Sequence, residues 1–162
     1  MGETDRRRAE LQARGRAGDR DAMYRLAMCY RLGLDGAADD ALAAAWFWAA
    51  AKGGHAEAQL VLGLSCYEGR GVERDRRQAG RWFRRAAQQG LPRAQHWLAR
   101  SCFYGDGCDA DPAEAYYWCL AAEAGGLADG EFAREIGRHL SQGERARIES
   151  GRAPARRATA LG

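Results

Sequence analysis

Apolar and small residues return along this chain in two alternating helical stripes, and the whole arrangement recurs every 36 residues. Residues 22–32, 58–68 and 94–104 carry apolar or small side chains at i, i+4, i+7 or i+8 and i+11, which is one face of a helix. A glycine-bearing loop follows each stripe. Then come an aspartate at an N-cap position and a second helix with Ala, Trp and Ala at i, i+3 and i+7. Stepping by 36 maps Ala22 onto Ala58 and Ala94, Leu26 onto Leu62 and Leu98, and Gly33 onto Gly69 and Gly105. Asp39, Ala43, Trp46 and Ala50 recur in the same way, and Gly18 extends through Gly54 and Gly90 to Gly126. No gap interrupts the frame.

A pair of helices of this kind cannot bury its apolar face alone, so neighbouring pairs must stack into a solenoid. Alanine at the crossings lets backbones approach, and one Trp per unit is expected to fill the wedge between pairs, burying ~150–250 Å². Pro112 after Asp111 marks a helix start. The predicted organisation is an N-terminal capping helix within 1–18, repeats at 19–54, 55–90 and 91–126, C-terminal capping helices within 127–149, and a disordered basic tail over 150–162. Within the C-terminal cap, residues 131–140 take the place of a fourth first helix. Ser141 and Glu144 have capping-box spacing for a short last one.

Composition adds three constraints. With 162 residues the chain suits one domain, and its richness in Ala and Arg favours helix while its 21 glycines favour many stops. A net charge of +3 over 25 basic and 22 acidic side chains calls for no polyanionic partner. The N-terminus has no signal-peptide core and no apolar run reaches membrane-spanning length, so the expected location is cytoplasmic, with no membrane partner. Five cysteines, Cys29, Cys66, Cys102, Cys108 and Cys119, form no CxxC pair and read as inert, reduced core thiols.

The unit resembles that of the Sel-one-like repeat (SLR) family, a relative of the tetratricopeptide repeats. Its second copy carries Ala58, Leu62-Gly63, Gly69, Gly71-Val72, Asp75, Ala79, Trp82, Ala86-Ala87 and Gly90 in the family's spacing. The resemblance covers Gly18 to Gly126. It implies an all-α, right-handed superhelical solenoid of antiparallel helix pairs that serves as a protein-interaction adaptor or scaffold. The family's tyrosine is kept at Tyr30 and replaced by Cys66 and Cys102, and the G-x-G-V loop departs in units one and three, where it reads Gly33 to Ala37 and Gly105 to Cys108. Secreted, cysteine-rich members staple repeats with cysteines eight residues apart, a spacing that no pair here has.

In such a solenoid the first helices line the concave surface. The positions opposite their core stripe are Tyr24, Met28 and Arg31 in unit one, Leu60, Leu64 and Tyr67 in unit two, and His96, Arg100 and Phe103 in unit three. These nine are the candidate contacts for a partner protein or peptide, since aromatics and Arg carry most hot-spot energy. Burial of several of them by tight curvature is the competing reading. On the second helices, Arg77, Arg81, Arg84 and Gln88 face solvent in unit two, whereas Ala45 and Trp48 in unit one and Tyr117 and Leu120 in unit three are apolar. Terminal helices folding over those two ends are the expectation, with an oligomer interface as the alternative and a monomer by default.

The basic run Arg70, Arg74, Arg76, Arg77, Arg81, Arg84 and Arg85 lacks interleaved aromatics, so it reads as a solvated face and not a specific nucleic-acid site. Acidic Asp106, Asp109, Asp111 and Glu114 follow in the next unit, and attraction between the neighbouring loops or an acidic partner is the remainder of that reading. His55, His96 and His139 lie 41 and 43 residues apart, in no zinc or catalytic spacing. No P-loop, nucleophile elbow or dinucleotide fingerprint is present, so neither a catalytic site, a metal nor a cofactor is expected. An inhibitory or immunity role is the alternative within binding, and a hydrolase in the groove is the alternative outside it.

Overall fold

Every unit closes its internal loop with the same backbone contact. The first helix ends at a left-handed glycine, with φ 62° at Gly33, 78° at Gly69 and 68° at Gly105. The chain then returns so that the N–H of Asp39, Asp75 and Asp111 donates to the carbonyl of Tyr30, Cys66 and Cys102 at 2.9, 2.9 and 2.8 Å. The loop departures in units one and three therefore leave the closure intact. Each of these aspartates then caps its second helix, accepting from the N–H of Leu42, of Gln78, and of Ala113 and Glu114.

The computed structural model describes residues 2–34, 36–127 and 129–151. Among them are nine helices and no strand: α1 Glu3–Arg16, α2 Arg20–Leu32, α3 Asp40–Lys52, α4 Ala56–Glu68, α5 Arg76–Gln88, α6 Pro92–Tyr104, α7 Pro112–Ala124, α8 Gly130–Gly137 and α9 Gln142–Glu149. Helices α2 and α3, α4 and α5, and α6 and α7 pair within units, while α3 packs on α4 and α5 on α6 between units. Helix α1 covers α2, and α7 carries both α8 and α9. The capping box before α9 is complete: Glu144 N–H donates to Ser141 Oγ at 3.3 Å, and Ser141 N–H donates to Glu144 Oε2 at 2.9 Å. Of the expected basic tail, residues 152–162 lie outside the described residues.

The repeat anchors are the core. Ala22, Leu26, Ala43 and Ala50 and all their equivalents 36 and 72 residues on are at most 1 % exposed. The wedge between units is filled differently from the expectation. Trp46 and Trp118 are half-buried and Trp82 has Arg85 stacked over it at 4.7 Å, whereas the next residue in each unit, Phe47, Phe83 or Cys119, is fully enclosed. Phe83 stacks on Trp97 of the following unit with ring centroids 5.6 Å apart. Trp82 is buried as expected, at 7 % exposure, whereas Trp46 and Trp118 lie at the rim, where the larger indole keeps one edge in water.

Candidate protein-interaction face

The nine candidate residues lie on the first helices α2, α4 and α6. Stepping by 36 sorts the nine candidate residues into three rows, and the rows have different fates. Tyr24, Leu60 and His96 form the first. Leu60 is 0 % exposed and belongs to the core, so its assignment as a contact is corrected. Tyr24 stacks on His55 of the next unit at 4.7 Å, and His96 meets Phe132 of α8 edge-on at 5.8 Å.

The second row, Arg31, Tyr67 and Phe103, seals the junctions between units. Arg31 donates to Ser65 Oγ at 2.5 Å and lies over the Phe47 ring at 4.7 Å. Burial, with the charge of Arg70, lowers its pKa. Tyr67 donates its hydroxyl to Asp106 at 2.8 Å, a bond that holds its own pKa above the ordinary value. Phe103 is enclosed by Phe132 at 5.7 Å and His139 at 5.2 Å.

The third row stays on the open side. Met28 and Leu64 are half-buried and Arg100 is exposed. Around it lie residues outside the expected row: exposed Arg25 and Leu32 on α2, half-buried Val61 and exposed Glu68 on α4, and half-buried Trp97 and exposed Tyr104 on α6. These complete an i, i+3, i+7 row on each helix, rotated from the expected face. In unit three the Arg100 guanidinium stands 5.9 Å from the ring centroids of both Trp97 and Tyr104, and Tyr104 is 57 % exposed. The exposed aromatic at the last position of α6 is the signal that could have found this cluster.

The outer face carries three ion pairs between units. Arg70 pairs with Asp40 at 2.9 Å and Arg76 with Asp106 at 2.8 Å, and Arg84 forms a two-pronged pair with Glu114. Three of the seven arginines of the basic run thus bridge adjacent units, two of them to the acidic residues of unit three. Arg77 and Arg81 are exposed beside a cleft of about 800 Å³ between units two and three. At the chain ends only one apolar face is covered. Helix α9 seats on α7, with Tyr116 donating to Glu149 at 2.8 Å, while Trp48 remains 49 % exposed under the Lys52 ammonium. Among the described residues no group of His, Cys, Asp or Glu is arranged to hold a metal, and no helix is long and apolar enough to cross a membrane.

No curated protein matches the chain. Two solved structures share its fold at 28 % identity. One is a protective antigen present in uropathogenic Escherichia coli strains displaying an SLR fold, with a TM-score of 0.76 over 88 % of this chain and 31 % of that one. The other is a Sel1 repeat protein from Oxalobacter formigenes, with a TM-score of 0.69 over 78 % of this chain and 51 % of that one. The chain therefore spans about a third and about half the length of these two structures. Sel1 repeats generally mediate protein–protein interaction and are typically non-catalytic. The Sel1 repeat itself is matched at residues 20–55, 56–91 and 92–127, a frame one residue later than the one read from the sequence. With three consecutive units covering well over half its length, the chain belongs to the Sel1 repeat family.

Proposed function

We propose that this protein is a non-enzymatic adaptor that seats a partner protein or peptide against the open side of its first helices, centred on Trp97, Arg100 and Tyr104. One observation carries the reading. An exposed guanidinium stands 5.9 Å from the centroids of two rings on α6, half-buried Trp97 and exposed Tyr104. Arg and aromatic side chains are the groups that supply most of the energy of protein interfaces, and rings already fixed by packing lose little entropy on binding. Met28 and Leu64 extend the same row toward the N-terminus as an apolar track. The free thiols, three of them buried, suit a reducing compartment, and we place the protein in the cytoplasm.

The test is capture of the native partner by a photo-cross-linking residue at position 100. Tyr104→Ala, at a side chain 57 % exposed, is expected to weaken capture by roughly tenfold while the thermal midpoint holds. Arg77→Glu with Arg81→Glu, on the other face, serves as the control. Equal capture by the inner-face variant and the parent would sink the assignment.

A further inference from the structure

Two cysteines of unit three stand at positions that the repeat brings together. Cys102 occupies the place of Tyr30 and Cys66, and Cys108 that of Gly36 and Val72. In unit two the buried Cys66 thiol donates to Gln78 Oε1 at 3.1 Å. In unit three the Cys102 and Cys108 sulfurs are 3.3 Å apart, in hydrogen-bond contact, with Arg84 Nη2 4.0 Å from Cys102. Cys102 is fully buried, whereas Cys108 is half-buried and lines the cleft that also holds Arg77, Arg81 and Arg84 together with Asp109, Asp111 and Glu114.

We propose that Cys102 and Cys108 form a redox-active dithiol that closes to an intramolecular disulfide by exchange with a small, carboxylate-bearing disulfide such as oxidised glutathione. The roles follow from access. The Cys108 thiolate faces a cleft of mixed charge in which Glu114 occupies Arg84, so the cations offered to the carboxylates of the incoming disulfide are the exposed Arg77 and Arg81. It attacks one sulfur, the S–S bond breaks, and one glutathione leaves as thiolate and takes up a proton. Cys102 then gives up its proton and attacks Cys108 Sγ in the mixed disulfide, forming the protein S–S bond and expelling the second glutathione. Two protein thiols lose two electrons, and one glutathione disulfide becomes two thiols.

Electrostatics support this order. The hydrogen-bond contact between the two sulfurs holds the Cys108 thiol below its ordinary pKa, with Arg84 adding to the effect against burial, Glu114 and Asp109. The same contact and burial push Cys102 up, so it stays protonated until the mixed disulfide is in place. The product would pin the Gly105 to Cys108 loop to the last turn of α6. That loop already rests on α5, where a β-carbon on Gly80 would lie 2.5 Å from the Gly107 carbonyl.

Incubation of the folded protein with oxidised glutathione, followed by alkylation and peptide mapping by mass spectrometry, tests the proposal. The expected product is a peptide linked through Cys102 and Cys108, and before oxidation Cys108 should alkylate roughly tenfold faster than Cys29, the other half-buried thiol. Cys102→Ala should stop the reaction at a glutathione adduct on Cys108. Should that variant fail to fold, mapping of the parent protein decides alone. A stable glutathione adduct on parent Cys108, or two thiols still free after treatment, overturns the proposal.

Discussion

Gly71 rests so closely on the Asp40 carbonyl of the preceding unit that a β-carbon at Gly71 would lie 2.0 Å from the Asp40 oxygen. Its φ of 73° is in the left-handed region as well. Gly71→Ala is therefore expected to destabilise by about 3 kcal/mol, combining backbone strain with a clash against another backbone. Gly90 has a similar φ of 83° but open space where its β-carbon would be. Gly90→Ala should cost only about 1 kcal/mol. Urea denaturation of the two variants checks the difference.

Phe83 is fully enclosed and bridges two units through Trp97, so Phe83→Ala removes an entire ring from a packed site. A loss of about 3–5 kcal/mol is expected. Trp48→Ala removes a larger side chain that is half in water, and its effect should stay within about 0.5 kcal/mol. If thermal unfolding reverses this order, Phe83 is not the wedge.

Arg84 and Glu114 join α5 to α7 with side chains 29 % and 24 % exposed. Trp118 Nε1–H also donates to Glu114 at 3.2 Å, which fixes the carboxylate. Because both groups are held and partly desolvated, a double-mutant cycle of Arg84→Met with Glu114→Gln should return a coupling of about 1 kcal/mol. Salt should weaken it only partly. A coupling of zero would show the pair to be ornamental.

Burial holds the His96 imidazole below its ordinary pKa of 6.5, opposed by Asp129 and reinforced by Arg100. As pH falls, the unfolded chain takes up this proton first, so the stability present above 6.5 declines as pH drops toward the folded value. The urea midpoint is expected to fall between about pH 7.5 and about pH 5.5, and His96→Gln should flatten that part of the profile. An unchanged slope in the variant would assign the effect elsewhere.

The repeat anchors were readable because Ala22, Leu26, Ala43 and Ala50 recur with their spacing intact, and one helix wheel suffices to point them at their partner helix. The inner face was read less well for a geometric reason. A wheel for one helix shows where its partner lies but not where the neighbours on either side arrive. Those neighbours enclose Leu60, engage half-buried Tyr24, Arg31 and Phe103 in contacts between units, and leave Leu32 and Tyr104 exposed. The thiol pair was hidden in a similar way. A spacing of six fits no disulfide or metal pattern, and only the loop closure from Asp111 N–H to the Cys102 carbonyl brings the two sulfurs together.

The ion pairs at the two junctions carry opposite polarity at equivalent positions: Asp40 faces Arg70 between units one and two, and Arg76 faces Asp106 between units two and three. A chain built of near-copies risks docking its third unit directly on its first during folding. In that mistaken order Asp40 would confront Asp106, two anions at contact distance. The reversed charges therefore work as an address, telling each unit which neighbour to accept and which to refuse. Exchanging Asp40 and Arg70 would keep the pair but erase the address, and refolding should then yield mixed products where the parent yields one.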